Sequence, residues 1–128
     1  MIDHVTVAVK NLQASAAFYE RVVATLGFTR LTDRKSAIGF GKNYPEFWLN
    51  VRPNMSAVQE DTGIHICLRA PSKKAVTEFY NTALFLGGRS DGEPRDRQGA
   101  ITAYFGAFIR DLDGNKIEAV FFPSRTPK

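Results

Sequence analysis

The sequence predicts an α+β fold of two tandem βαβββ modules forming a half-open, barrel-like sheet around a cavity. Three observations lead there: the chain repeats itself, each copy opens on a period-two apolar run, and each run leads into a capped amphipathic helix. Sliding the sequence against itself by 61 positions brings His4 onto His65, Ala14 onto Ala75, Phe18 onto Phe79, Tyr19 onto Tyr80 and Gly27 onto Gly88. Val5 meets Ile66, Val7 meets Leu68 and Val23 meets Leu84, so identities and conservative changes share the same periodic slots. Such self-similarity marks a duplication. The copies occupy about residues 1–53 and 62–123 of a single domain over 1–128.

Each half begins with a strand, Ile2–Val9 and Gly63–Ala70, in which apolar residues alternate with others. A helix follows. Asn11 and Ser72 can accept hydrogen bonds from first-turn N–H groups. Leu12, Ala16, Tyr19, Val23 and Leu26 recur at helical spacing, as do Val76, Tyr80, Ala83 and Gly87. Gly27 and Gly88 stand where a left-handed C-terminal turn favours glycine. Three strands complete the first half, Phe28–Thr32, Ser36–Gly41 and Glu46–Val51. In the second half a vague segment around Arg89–Asp91 precedes Ile101–Arg110 and Lys116–Phe122. Residues 53–61 read as the linker, Asp111–Asn115 as a tight turn, and the charged Asp91–Gln98 as a loop or lid over the cavity.

Composition narrows the function classes. The 128 residues are 44% hydrophobic and 23% charged, enough for one packed domain without disulfide or metal staples. The net charge of +4 is interspersed rather than gathered on one face, which argues against a nucleic-acid footprint. Cys67 is the single cysteine, so there is neither a disulfide framework nor a thiolate metal cluster. Met1–His4 lacks a basic start with a long apolar run, and no apolar stretch reaches the roughly 18 residues a spanning helix needs. The expectation is a soluble cytoplasmic protein with a small-molecule substrate and neither nucleic-acid nor membrane partners.

Strand parity sorts the side chains. Val5, Val7 and Val9 face the helix, leaving His4, Thr6 and Ala8 on the concave side, and the repeat places His65, Cys67 and Arg69 likewise. On the last strand Ile117, Ala119 and Phe121 face the helix while Glu118 and Val120 face the cavity. Two imidazoles and a carboxylate are a standard ligand set for a divalent metal with open positions. A histidine on a strand is more often a satisfied polar residue. Here the chain's only two histidines are duplicates of each other, which raises the metal reading.

The opening "IDHVTVAVKNLQASAAFYERVVATLGF" and the closing "FIRDLDGNKIEAVFF" resemble the glyoxalase/bleomycin-resistance/extradiol-dioxygenase (vicinal oxygen chelate) superfamily over residues 1 to about 123. The resemblance implies metal ligands from the first and last strands of each half: His4, His65 and Glu118. Aligning the last strands by 70 positions puts Trp48 opposite Glu118, so a four-ligand sphere is incomplete unless a two-residue slip brings in Glu46. The implied cofactor is a divalent ion, manganese, iron, zinc or nickel. The implied activity is lyase, isomerase, dioxygenase or thiol-transferase chemistry on a small oxygen-chelating substrate. The other class open to the fold is a non-catalytic small-molecule binder of the bleomycin-resistance type. Family members often pair, so a homodimer is expected.

Other cavity residues follow from parity. With Phe105, Ala107 and Ile109 on the core face, Tyr104, Gly106, Phe108 and Arg110 turn to the cavity unless a bulge at Gly106 reverses the register. Glu118 and Tyr104 are the candidate catalytic groups; the tyrosine equally suits a phenol anchored at a strand edge. Arg69 either pairs with an anionic substrate or stays solvated at the rim. Trp48 supplies an apolar wall, and Cys67 reads as a small buried hydrophobe rather than a nucleophile.

Overall fold

The computed structural model describes residues 1–123; residues 124–128 of the expected domain lie outside the described residues. Its elements run β1 (Val5–Val9), α1 (Leu12–Val22), β2 (Thr29–Asp33), β3 (Ala37–Gly41), β4 (Pro45–Val51), β5 (Ile66–Arg69), α2 (Lys73–Phe85), β6 (Arg89–Gln98), β7 (Ala103–Arg110) and β8 (Lys116–Phe121). The two halves are βαβββ units of one topology. Their strand orders are β1-β4-β3-β2 and β5-β8-β7-β6, with the first pair in each parallel and the others antiparallel.

Both helices start as their caps predict. Asn11 Oδ1 accepts from the Ala14 N–H and Ser72 Oγ from the Ala75 N–H, each at 3.0 Å. The periodic apolar faces of the helices then pack on the sheets' convex sides. Leu12, Ala16, Tyr19, Val22 and Leu26 from one half, and Val76, Phe79 and Ala83 from the other, join Val7, Val9, Leu49, Ile109, Ile117 and Ala119 in one buried core. Gly27 ends the first helical segment at φ 88°. In the second half that left-handed position is taken by Gly87, at φ 104°, and not by Gly88. Gly88 answers a different need: a Cβ there would lie 2.9 Å from the carbonyl oxygens of Ala83 and Arg110.

Two expectations are corrected. His4 and His65 each stand one residue before the first strand of their half, because pairing begins at Val5 and Ile66. The charged segment Asp91–Gln98 is no lid; it belongs to the ten-residue edge strand β6, paired with β7 through two register shifts around Gly92. A strand with solvent on both faces carries no hydrophobic alternation, so periodicity does not reveal it.

The halves are stitched together by the β7–β8 turn. The buried carboxylate of Asp111 accepts from Tyr19 Oη at 2.6 Å, from the N–H groups of Asp113 and Asn115 at 2.9 Å, and from Asn115 Nδ2 at 3.0 Å. Asn115 Nδ2 also donates to the Ala8 carbonyl at 2.8 Å, satisfying the free edge of β1, and the Lys10 N–H reaches Asp113 at 3.2 Å. No helix among the described residues is long and apolar enough to cross a membrane.

Candidate functional site

Parity holds on the last strands, and with it the comparison of the two halves. Thr6 pairs with Trp48 on β1–β4, and Cys67 pairs with Glu118 on β5–β8, so Trp48 occupies the register slot that Glu118 fills in the second half. Each sheet is half-open and curves around its own hollow. The one expected cavity is therefore two within a single copy.

The C-terminal hollow, about 480 Å³, is lined by His65, Cys67, Tyr104, Glu118, Val120 and Phe122, with the Gly99–Thr102 hairpin tip along its edge. At its floor His65 Nε2 lies 3.1 Å from Glu118 Oε1. The Glu118 side chain is only 6% exposed, and no lysine or arginine is paired with it among the described residues. A buried carboxylate without a cation is costly, so its surroundings compensate with weaker polar partners. The Tyr104 phenol and the Cys67 thiol line the same hollow beside it. Both groups hold their protons more tightly as a result. Desolvation first, then Glu118, raises the Tyr104 phenol above its ordinary range and pushes the Cys67 thiol up to about 12. The thiol therefore stays protonated at neutral pH and is a poor nucleophile. The edge of the His65 ring stands against Phe108, centroid to centroid 5.7 Å. Phe108 is itself flanked by Lys116 at 4.8 Å and Arg97 at 5.0 Å.

The N-terminal hollow, about 310 Å³, is lined by His4, Thr6, Arg34, Ala37, Tyr44, Pro45, Trp48 and Asn50. His4 Nδ1 is 2.8 Å from Asp3 Oδ1, and Tyr44 Oη donates to the same carboxylate at 2.9 Å. Those two partners, His4 foremost, hold Asp3 below the usual carboxylate range. Glu46, the alternative fourth ligand, does not line this hollow.

The predicted site residues are thus divided. The structure brings together His65, Glu118 and Tyr104, and leaves His4 in the other hollow with Trp48. Among the described residues no three His, Cys, Asp or Glu side chains gather into a metal-binding group. The His65–Glu118 pair has donors suited to a divalent ion; the three-ligand set does not form within one copy. Arg69, expected in the cavity, lines neither hollow; its exposed guanidinium lies 5.3 Å over the Phe122 ring. Arg110 is corrected. It is on the predicted face of β7 but at the strand's far end, buried, donating to Asp91 at 2.9 Å, the Glu60 carbonyl at 2.9 Å and the Gly114 carbonyl at 3.1 Å. It is a structural anchor and lines neither hollow. The sequence reading missed Arg34 and Tyr44, which sit in turns where no periodicity points. Asn50 was within its reach, since it shares parity with Trp48 on β4.

Comparison with solved structures finds this fold repeatedly. A glyoxalase/bleomycin resistance protein from Albidiferax ferrireducens T118 matches with a TM-score of 0.83 and 29% identity, over 94% of this chain and 98% of that one. A glyoxalase/bleomycin resistance protein/dioxygenase family enzyme from Burkholderia phytofirmans PsJN is similar in fold, with a TM-score of 0.69, 15% identity and coverage of 94% and 97%. A lactoylglutathione lyase from Agrobacterium tumefaciens shares the fold at a TM-score of 0.63, with 19% identity and coverage of 94% and 92%. No curated protein matches the chain in sequence. A family model matches residues 1–119, which take in both modules, the Asp111–Asn115 turn and the strand that carries Glu118. By that match and by its paired βαβββ modules, the chain belongs to the glyoxalase/bleomycin resistance protein/dioxygenase superfamily.

Proposed function

We propose that this chain is a metal-dependent enzyme, of the lyase/isomerase or dioxygenase type, acting on a small oxygen-chelating substrate in its C-terminal hollow. One observation carries the reading: a buried glutamate with no lysine or arginine paired to it among the described residues, bonded to His65 and sharing its hollow with Tyr104. Nothing in the packing requires a carboxylate at that place; Trp48 fills the equivalent slot in the other half. A divalent ion, once bound, supplies Lewis-acid polarisation of the substrate's oxygens. His65 and Glu118 would hold it, and His4 of a second copy would supply the third donor in a homodimer.

The chain's own groups have distinct parts. The edge contact of Phe108 orients the His65 ring. Tyr104, kept protonated beside Glu118, offers a hydrogen bond to a developing oxyanion. Val120 and Phe122 give the hollow an apolar wall beside the reacting oxygens. The competing reading is a binder that sequesters its ligand without metal. The engagement of His4 with Asp3, away from His65 and Glu118, favours it.

Calorimetry on metal-stripped protein, with manganese, iron(II), zinc and nickel, separates the two. The enzyme reading expects about one equivalent per chain, lost in His65→Ala and sharply weakened in Glu118→Gln, while Trp48→Phe keeps the stoichiometry. A mixture of His4→Ala and Glu118→Gln chains should regain binding, since one site in each mixed dimer is intact. If wild type binds no metal more tightly than His4→Ala, the binder reading takes its place.

A further inference from the structure

The geometry points to a second ligand site: the N-terminal hollow binds a small organic carboxylate on the Arg34 guanidinium, against Trp48. It needs neither the metal nor a second copy and so goes beyond the function proposed above.

The site is built from the strand floor upward. Gly39 on β3 pairs with Trp48 on β4, and a Cβ at Gly39 would come within 3.0 Å of the indole. The ring therefore lies flat on a floor that only glycine leaves open. Its N–H donates to the Pro45 carbonyl at 3.2 Å, which fixes the ring's rotation. Arg34, in the turn between β2 and β3, places its guanidinium over the ring, 5.3 Å from the centroid. That turn is closed by the Arg34 N–H donating to the Ala37 carbonyl at 2.8 Å.

Stacking occupies a face of a guanidinium and leaves its N–H edge free, the edge that takes a carboxylate in bidentate fashion. Here that edge is unused: among the described residues Arg34 has no ion pair or side-chain hydrogen bond. The nearby carboxylates are committed elsewhere, Asp33 to Arg30 at 2.6 Å and Asp3 to His4 and Tyr44. Among the described residues no carboxylate lines the hollow, whereas Arg34, Thr6 and Asn50 offer donors; His4 and Tyr44 are engaged with Asp3. Its volume of about 310 Å³ lies at the small end for ligand pockets, roughly 300–1,000 Å³. Pro45, Ala37 and the indole give a compact ligand apolar contact.

Trp48 is the chain's only tryptophan, so its indole N–H is a single reporter resonance in nitrogen-15-labelled full-length protein. Benzoate, titrated with a chelator present, should shift that resonance saturably. Benzamide, which has the same shape without the charge, should bind at least about tenfold more weakly. Arg34→Gln should lower benzoate affinity about tenfold and Arg34→Lys by less, since a point charge keeps attraction but loses the fork. Lys35→Gln, at the exposed neighbouring cation, should change it less than about twofold. Equal binding of benzoate and benzamide, equal losses in the Arg34→Gln and Lys35→Gln variants, or no saturable shift would each overturn the site. Should Arg34→Gln disturb the amide spectrum, the benzamide comparison on wild type and Arg34→Lys decide. Because a chelator is present throughout, failure of the metal reading leaves this outcome untouched.

Discussion

At the scale of single residues, Asp111 ties the two halves together and Arg110 anchors the second half to the linker. Asp111 accepts four hydrogen bonds, one of them from Tyr19 on the other half's helix. Burial raises its carboxyl in spite of those donors, and it lifts the Tyr19 phenol well above its ordinary range, with Asp111 adding to the effect. The folded state thus keeps the Tyr19 proton where the unfolded chain releases it. The contribution to stability is complete below about pH 10 and is lost as pH climbs toward the folded value. Tyr19→Phe should cost ~1–3 kcal/mol at neutral pH, as for a hydrogen bond to a charged group, and the gap to wild type should narrow above pH 10. Urea midpoints at pH 8 and 10.5 test this, and a gap that widens with pH refutes it. Arg110→Ala leaves Asp91 to Lys116 alone and removes the donor from the Glu60 and Gly114 carbonyls, so a loss of ~1–3 kcal/mol is expected. A loss near zero would show that Arg110 is no anchor.

At the scale of elements, sequence legibility followed burial on one face. The first strands, both helices with their caps, and β8 were legible because each has one apolar face and one polar one. The strand β6 was not, since Arg89–Gln98 has charge on both faces and takes its conformation from β7. The glycine pair at the end of α2 shows the same limit. Sequence alignment of the repeats puts Gly88 opposite Gly27, yet the left-handed φ falls on Gly87. Only the three-dimensional approach of the Arg110 and Ala83 carbonyls and the Phe18 ring explains why Gly88 lacks a side chain. Gly88→Ala should therefore destabilise through overpacking, by ~1–3 kcal/mol. Gly87→Ala should do so chiefly through backbone strain at its positive φ, the nearest atom to the new Cβ being the movable Leu112 Cδ2 at 3.3 Å, by about 1 kcal/mol. Denaturant unfolding of the two variants compares them; a neutral Gly88→Ala would mean the backbone shifts aside freely.

At the scale of the whole molecule, the site was legible by face and illegible by hollow. Parity puts His4, Trp48, His65 and Glu118 on concave surfaces, but it says nothing of how two sheets are turned relative to each other. The outcome, one histidine in each of two half-open hollows, makes association the decisive property. The outer edge of β6 argues against sheet-to-sheet extension there, because Pro94 and six charged residues blunt it. The hollow mouths are different. Ile101 at the C-terminal mouth is 92% exposed and Tyr44 at the N-terminal mouth 53%. The proposed homodimer, with the N-terminal mouth of one copy against the C-terminal mouth of the other, would cover both side chains and bring His4 toward His65 and Glu118. Light scattering should give a dimer mass at tens of micromolar and above. Ile101→Glu should weaken the dimer at least about tenfold, as expected when a charge is forced into an apolar contact. It should also lower metal affinity, although residue 101 carries no ligand, whereas Phe85→Glu, at an exposed phenylalanine on α2, should change neither. A monomer mass at every concentration, with metal still bound at one equivalent, would place the whole site within a single chain.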